Sequence, residues 1–89
     1  MRGADRLSIH WSDRARADLA RIGDYIARDN PKAAARWVRL LLEDVERASA
    51  FPLSGRRVPE YSDRSDLREM LRRTYRVVYR VQADSILVV

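Results

Sequence analysis

The sequence predicts an α+β domain: an N-terminal strand, an antiparallel helical hairpin, then a three-stranded antiparallel meander. Three observations predict it. Apolar residues recur at helical spacing from Ala15 to Ala48, broken only at Asp29-Asn30-Pro31. Tyr75 to Val81 alternates apolar and cationic residues with a period of two. Very short polar breaks separate the last three apolar runs. Helices first and a meander after describe an α+β arrangement in which the hairpin covers one face of the sheet.

Leu7 to Trp11 reads as a short strand with Leu7, Ile9 and Trp11 on one face and Ser8 and His10 on the other. Ser12 stands as a helix N-cap, and Asp13 puts a negative charge in the first turn, where the helix dipole favours it. Ala15, Leu19, Ile22 and Ile26 then mark an amphipathic helix to about Arg28. Gly23 inside it costs about 1 kcal/mol relative to Ala, so a large side chain is expected to pack against it. Asn30 caps the next helix and Pro31 suits its first position, while the residue before a proline is pushed out of the helical region. This second helix runs from Pro31 to about Ala50, with Ala34, Trp37, Val38, Leu41, Val45 and Ala48 in its apolar stripe and Glu43 and Arg47 as an i, i+4 pair. So short a connection makes the two helices antiparallel.

Phe51 to Pro59 is a loop punctuated by Pro and Gly, and Tyr61 to Asp66 a polar connector. Leu67 to Arg72, Tyr75 to Val81 and Ser85 to Val89 follow as strands, turning at Arg73-Thr74 and at Gln82-Ala83-Asp84. Leu67, Leu71, Tyr75, Val77, Tyr79, Val81, Ile86 and Val88 are assigned to the face under the helices. Arg68, Met70, Arg72, Arg76, Val78 and Arg80 are assigned to the open face. The last run ends on five residues with no polar cap, which suggests that the natural chain continues past Val89.

The 89 residues suit a single domain, residues 1–89, burying about 60 to 65% of the unfolded chain's surface. The net charge is +5, with 18 basic residues of which all but Lys32 are Arg. Arginine forks suit phosphate and carboxylate partners, although arginine bias also follows from GC-rich coding. With no cysteine there is no disulfide, thiolate metal site or cysteine nucleophile, and His10, the lone histidine, makes a zinc site unexpected. No cofactor is expected. The N-terminus lacks an apolar leader and no apolar run approaches the ~18 residues of a membrane span, so the chain is read as cytoplasmic with no membrane partner.

Several strings in this order resemble the RelE/ParE superfamily of type II toxins. They are Ile9-His10-Trp11-Ser12-Asp13-Arg14-Ala15, Asp24-Tyr25-Ile26-Ala27-Arg28-Asp29-Asn30-Pro31, Phe51-Pro52-Leu53-Ser54-Gly55-Arg56, Asp66-Leu67-Arg68-Glu69 and Tyr75-Arg76-Val77-Val78-Tyr79-Arg80-Val81. The long hairpin and the Phe-Pro-x-Ser-Gly-Arg segment are closer to the ParE branch. The resemblance implies a toxin neutralised by a cognate antitoxin in a hetero-oligomer. It implies DNA gyrase as the target for ParE-like members, and ribosome-dependent mRNA cleavage for RelE-like ones. A toxin-derived module that only binds its antitoxin is a third reading. Fold does not choose among these.

Cleaving RNA without a metal needs a base for the 2′-hydroxyl and cations for the phosphate. RelE-like nucleases draw these from the sheet's open face and from a Tyr or His near the C-terminus. If this chain is a nuclease, Arg68, Arg76, Arg80 and His10 are the candidates, whereas Tyr79 has the parity of the core. The alternative use of Arg68, Met70, Arg72, Arg76, Val78 and Arg80 is a docking surface for antitoxin or target, with Arg76 and Arg80 replaceable without harm to the fold. Leu67 to Val89 carries five arginines against Glu69 and Asp84, which fits either docking or a solvated face that resists edge aggregation.

Overall fold

In the computed structural model, which describes residues 6–89, the elements are β1 (Ser8–Trp11), α1 (Asp13–Ala27), α2 (Pro31–Ala50), β2 (Arg56–Arg57), β3 (Leu67–Arg72), β4 (Tyr75–Val81) and β5 (Ser85–Val88). The α+β class, the helical hairpin and the antiparallel meander are as expected. The sheet is larger than the meander alone: five strands in the order β1-β5-β4-β3-β2. β1 joins it parallel to β5, with Ser8 opposite Ser85 and Trp11 opposite Val88, and β2 adds a short antiparallel edge.

Both caps are made by the residues that the sequence nominates. Ser12 Oγ accepts a hydrogen bond from the Ala15 N–H at 3.0 Å, and Asn30 Oδ1 accepts from Ala33 N–H at 3.1 Å with Pro31 at the start of α2. Each satisfies an amide that has no partner within its helix. α2 is tied to Leu7, the residue that leads into β1, by Ser49, whose hydroxyl donates to the Leu7 carbonyl at 2.6 Å while its own carbonyl accepts the Leu7 N–H at 3.0 Å. Gly23 faces a smaller neighbour than expected: an added Cβ would lie 3.4 Å from Val38 Cγ2, ordinary contact with a valine. Arg47 pairs with Asp44 at 2.6 Å rather than with Glu43.

The core lies between the hairpin and one sheet face. Ala15, Val45, Ala48, Tyr79, Ile86 and Val88 are buried there, with Ile9, Trp11, Met70, Val77 and Val81 packed around them. Trp37 meets Tyr75 edge-on, ring centroids 5.5 Å apart, a geometry aromatic quadrupoles favour. β4, β5 and β1 therefore face as their alternation predicts.

β3 does not. The tight turn at Arg73-Thr74 pairs Arg72 with Tyr75, Met70 with Val77 and Arg68 with Tyr79. Cross-strand partners share a face, so the even positions of β3 lie with the odd positions of β4, under the helices. The assignment of Arg68, Met70 and Arg72 to the open face and of Leu67 and Leu71 to the core is thus reversed, and Leu71 is exposed. Met70 packs on the core, and Arg72 reaches Asp44 on α2, donating from Nε at 3.1 Å and from Nη2 at 2.8 Å. Arg68 donates to the carbonyls of Ser65 at 2.9 Å and Gly55 at 3.2 Å.

The loop expected over Phe51 to Pro59 and the polar connector expected over Tyr61 to Asp66 are both tied into the fold. The segment holds two short 3-10 turns, Pro52–Ser54 and Pro59–Tyr61, and buries Val58. Arg57 donates to the Ser62 carbonyl at 3.2 Å, and the Asp66 carbonyl accepts the Val81 N–H at 2.7 Å.

Candidate functional site

The open sheet face is built in rows set by register. His10, Leu87, Arg80 and Leu67 form one row across β1, β5, β4 and β3, Val78, Glu69 and Arg56 a second, and Arg76 and Leu71 a third. At the centre lies a carboxylate with no solvent exposure. Glu69 accepts from Arg56 Nε at 2.6 Å and from Arg76 Nη1 at 2.9 Å. Arg76 also forks onto Glu60, which lies in the turn Pro59–Tyr61, donating at 3.0 and 2.9 Å. The hydrogen bond from Arg76 holds the Glu60 carboxyl below its ordinary range, and the same contacts raise the Arg76 guanidinium. A buried carboxylate survives only when paired in this way.

Of the four nuclease candidates, the structure leaves two on this face with free side chains. Arg68 is on the other face, and Arg76 is held by Glu60 and Glu69. Arg80 makes no ion pair among the described residues, and His10 is exposed on the edge strand. They sit two strands apart, roughly 10 Å, and Arg80 is roughly 13 Å along β4 from Arg76. The candidates are not gathered around one point. Of the docking candidates, Arg76, Val78 and Arg80 are on the open face, while Arg68, Met70 and Arg72 are not.

Tyr79 ties the Pro52–Gly55 loop to the sheet. It is wholly buried, its hydroxyl donating to the Pro52 carbonyl at 2.6 Å and accepting the Gly55 N–H at 3.1 Å. Burial raises the phenol, which suits a neutral hydrogen-bonding group rather than a base. An added Cβ at Gly55 would lie 2.6 Å from that hydroxyl and 2.8 Å from the Glu69 carbonyl, so only glycine fits. The Ser-Gly-Arg string is therefore the seat of the Tyr79 hydroxyl and the source of Arg56.

The sequence reading missed both buried carboxylates. Asp44 sits among Leu41, Val45 and Ala48, within the apolar stripe of α2, and a carboxylate there needs a cation from the facing strand. That position alone signals a partner such as Arg72. On the helix side, a cavity of about 300 Å³ opens between α1 and the ends of β4 and β5, lined by Trp11, Ala15, Leu19, Ile22, Tyr75 and Val77 among others.

Across residues 9–89 the chain matches the family model described as ParE toxin of type II toxin-antitoxin system, parDE. The chain belongs to the ParE toxin family. Y4kP of Sinorhizobium fredii, named as a candidate toxin, is 43% identical over 51 residues, which is 57% of this chain. The chain spans about half the length of that curated relative, 53%. A chain from the chromosomal ParDE toxin–antitoxin system of P. aeruginosa has the same fold, with a TM-score of 0.72 at 23% identity, covering 94% of this chain and 91% of that one. The ParE match accounts for the order of hairpin and meander and for the strings that carry the resemblance. Among the described residues, no helix is long and apolar enough to cross a membrane.

Proposed function

We propose that this ParE-family chain inhibits DNA gyrase by protein contact, in the cytoplasm and without catalysing a reaction, and that a cognate antitoxin encoded with it holds it inactive. The observation that carries this reading is Glu69. A metal-free ribonuclease needs cations left free for the phosphate, together with a base and an acid that converge on it. Here the middle of the open face is occupied by a carboxylate that takes up Arg56 and shares Arg76 with Glu60. A phosphate approaching Arg76 meets the charge of two carboxylates already bound to it.

Two features suit an antitoxin segment. The cavity beside α1 could receive apolar side chains of a helix. Beyond its pairing with β2, the outer edge of β3 from Met70 to Arg72 has no neighbouring strand among the described residues, which offers backbone groups for strand addition. Arg80 and His10 then remain on the open face for an acidic partner.

The test sets two assays side by side: gyrase supercoiling, and cleavage of mRNA on programmed ribosomes. The proposal expects supercoiling to fail in the presence of the protein, recovery on adding antitoxin, and intact mRNA. Normal supercoiling at excess protein with mRNA cut in the ribosomal A site would establish the RelE-like alternative. Antitoxin binding with neither activity would leave a binding module.

A further inference from the structure

A different flank of α1 carries a second groove, of about 480 Å³, between α1 and α2. Its floor is Leu19, Gly23 and Val38, its α2 wall ends in the exposed Leu42, and its α1 rim carries Arg16, Ala20 and Asp24. Arg16 and Asp24 are both exposed and form no ion pair among the described residues. None of the nuclease or open-face candidates lies here.

We propose that this groove is a self-association surface, in which two copies pack α1 against α1 antiparallel about a two-fold axis at Ala20, Arg16 of each copy meeting Asp24 of the other. Arg16 and Asp24 are each four residues from Ala20, so each lies about 6 Å along the helix from the axis, on opposite sides of it. A two-fold rotation exchanges those ends and brings opposite charges together twice, whereas a parallel arrangement would put like against like. This is the self-complementarity that an isologous interface requires. Ala20, small and exposed on the rim, leaves the α1 backbones free to approach to the roughly 8 Å of closely packed helices, and Leu42 is covered in the process. A partner of one charge sign would satisfy only one end of the rim; a second copy satisfies both. The inference does not depend on the gyrase reading.

Sedimentation equilibrium of the protein alone at micromolar concentration tests it. The wild type should run at twice the chain mass of 10.4 kDa. Arg16→Asp and Asp24→Arg, each of which sets like charges together twice, should each halve the apparent mass with unchanged circular dichroism. The double variant Arg16→Asp with Asp24→Arg should restore the dimer. A monomeric wild type overturns the proposal, leaving the groove to an antitoxin helix or to no partner. Single variants that remain dimeric, or a double variant that stays monomeric, overturn the placement of the interface.

Discussion

Arg76 Nη1 donates to Glu69 Oε1 at 2.9 Å, across the middle of a sheet face that otherwise opens to solvent. This bond and that of Arg56 neutralise a carboxylate that has no exposure of its own. Removing a partner from a buried charge is far more costly than losing a surface ion pair. Arg76 is therefore part of the fold and not a replaceable docking residue.

Arg76→Glu should consequently unfold the protein at much lower temperature, since it sets a third carboxylate beside Glu60 and Glu69. The expected fall in melting temperature is roughly 10 °C or more. Arg80→Glu, on a residue with no ion pair among the described residues, should shift it by less than about 3 °C. Equal shifts in thermal melts of the two variants would show that the Glu69 cluster is not what holds this face.

Arg80→Glu is then the informative probe of the open face. Because it leaves the fold standing, any loss of antitoxin affinity reports docking. The expectation is at least a tenfold rise in Kd by calorimetry, the factor that about 1.4 kcal/mol represents. Unchanged affinity would move the antitoxin to the cavity beside α1 and the β3 edge alone.

How far the sequence discloses this molecule depends on which signal is read. Caps and periodicity mark α1, α2, β4 and β5 because Ser12, Asn30 and Pro31 act locally and the core is one-sided. The faces of β3 are misread because Leu67 and Leu71 look like core, while the decisive signal is the length of the turn at Arg73-Thr74. A tight turn carries the face of Tyr75 onto Arg72, whatever the hydropathy of the strand. The β1–β5 pairing and the Glu69 cluster join residues remote in sequence, for which no local pattern exists, whereas Asp44 stands inside the apolar stripe of α2. A charged residue inside an apolar stripe was the available hint.

Gly55 and Tyr79 form a second coupled pair. Gly55→Ala should destabilise by about 1–3 kcal/mol or more through overpacking against the Tyr79 hydroxyl and the Glu69 carbonyl. Tyr79→Phe should cost about 1–3 kcal/mol, because the Gly55 N–H and the Pro52 carbonyl lose their shared partner. With the hydroxyl gone, the added methyl clashes less, so the double variant should be less destabilised than the sum of the singles. Strict additivity in urea unfolding would count against the close approach.

Tyr79 also predicts an alkaline limit. Its folded pKa is raised by burial above the ordinary 10.0, so near that pH the unfolded chain releases a proton that the folded chain keeps. The unfolded state then binds fewer protons, and stability falls as pH rises. The contribution is fully present below pH 10 and is lost above it as pH climbs toward the folded value. Tyr79→Phe should flatten this slope in urea unfolding between neutral and strongly alkaline pH. An identical slope in the variant would show that Tyr79 is not the group responsible.

Arg73 is the one non-glycine residue at positive φ among the described residues, at 55° in the β3–β4 turn. An L side chain in the left-handed region costs roughly 1–2 kcal/mol, while glycine there has no steric penalty and loses part of the advantage through its looser unfolded state. Arg73→Gly should therefore stabilise by up to about 1 kcal/mol, raising the melting temperature by roughly 4–8 °C for a domain of this size. The substitution leaves the Arg72–Tyr75 register in place. It removes an exposed cation from the turn without touching either buried carboxylate, so a stabilised variant with unaltered antitoxin affinity would assign Arg73 to the turn alone. A fall in melting temperature would mean that Arg73 makes contacts worth more than the strain it bears.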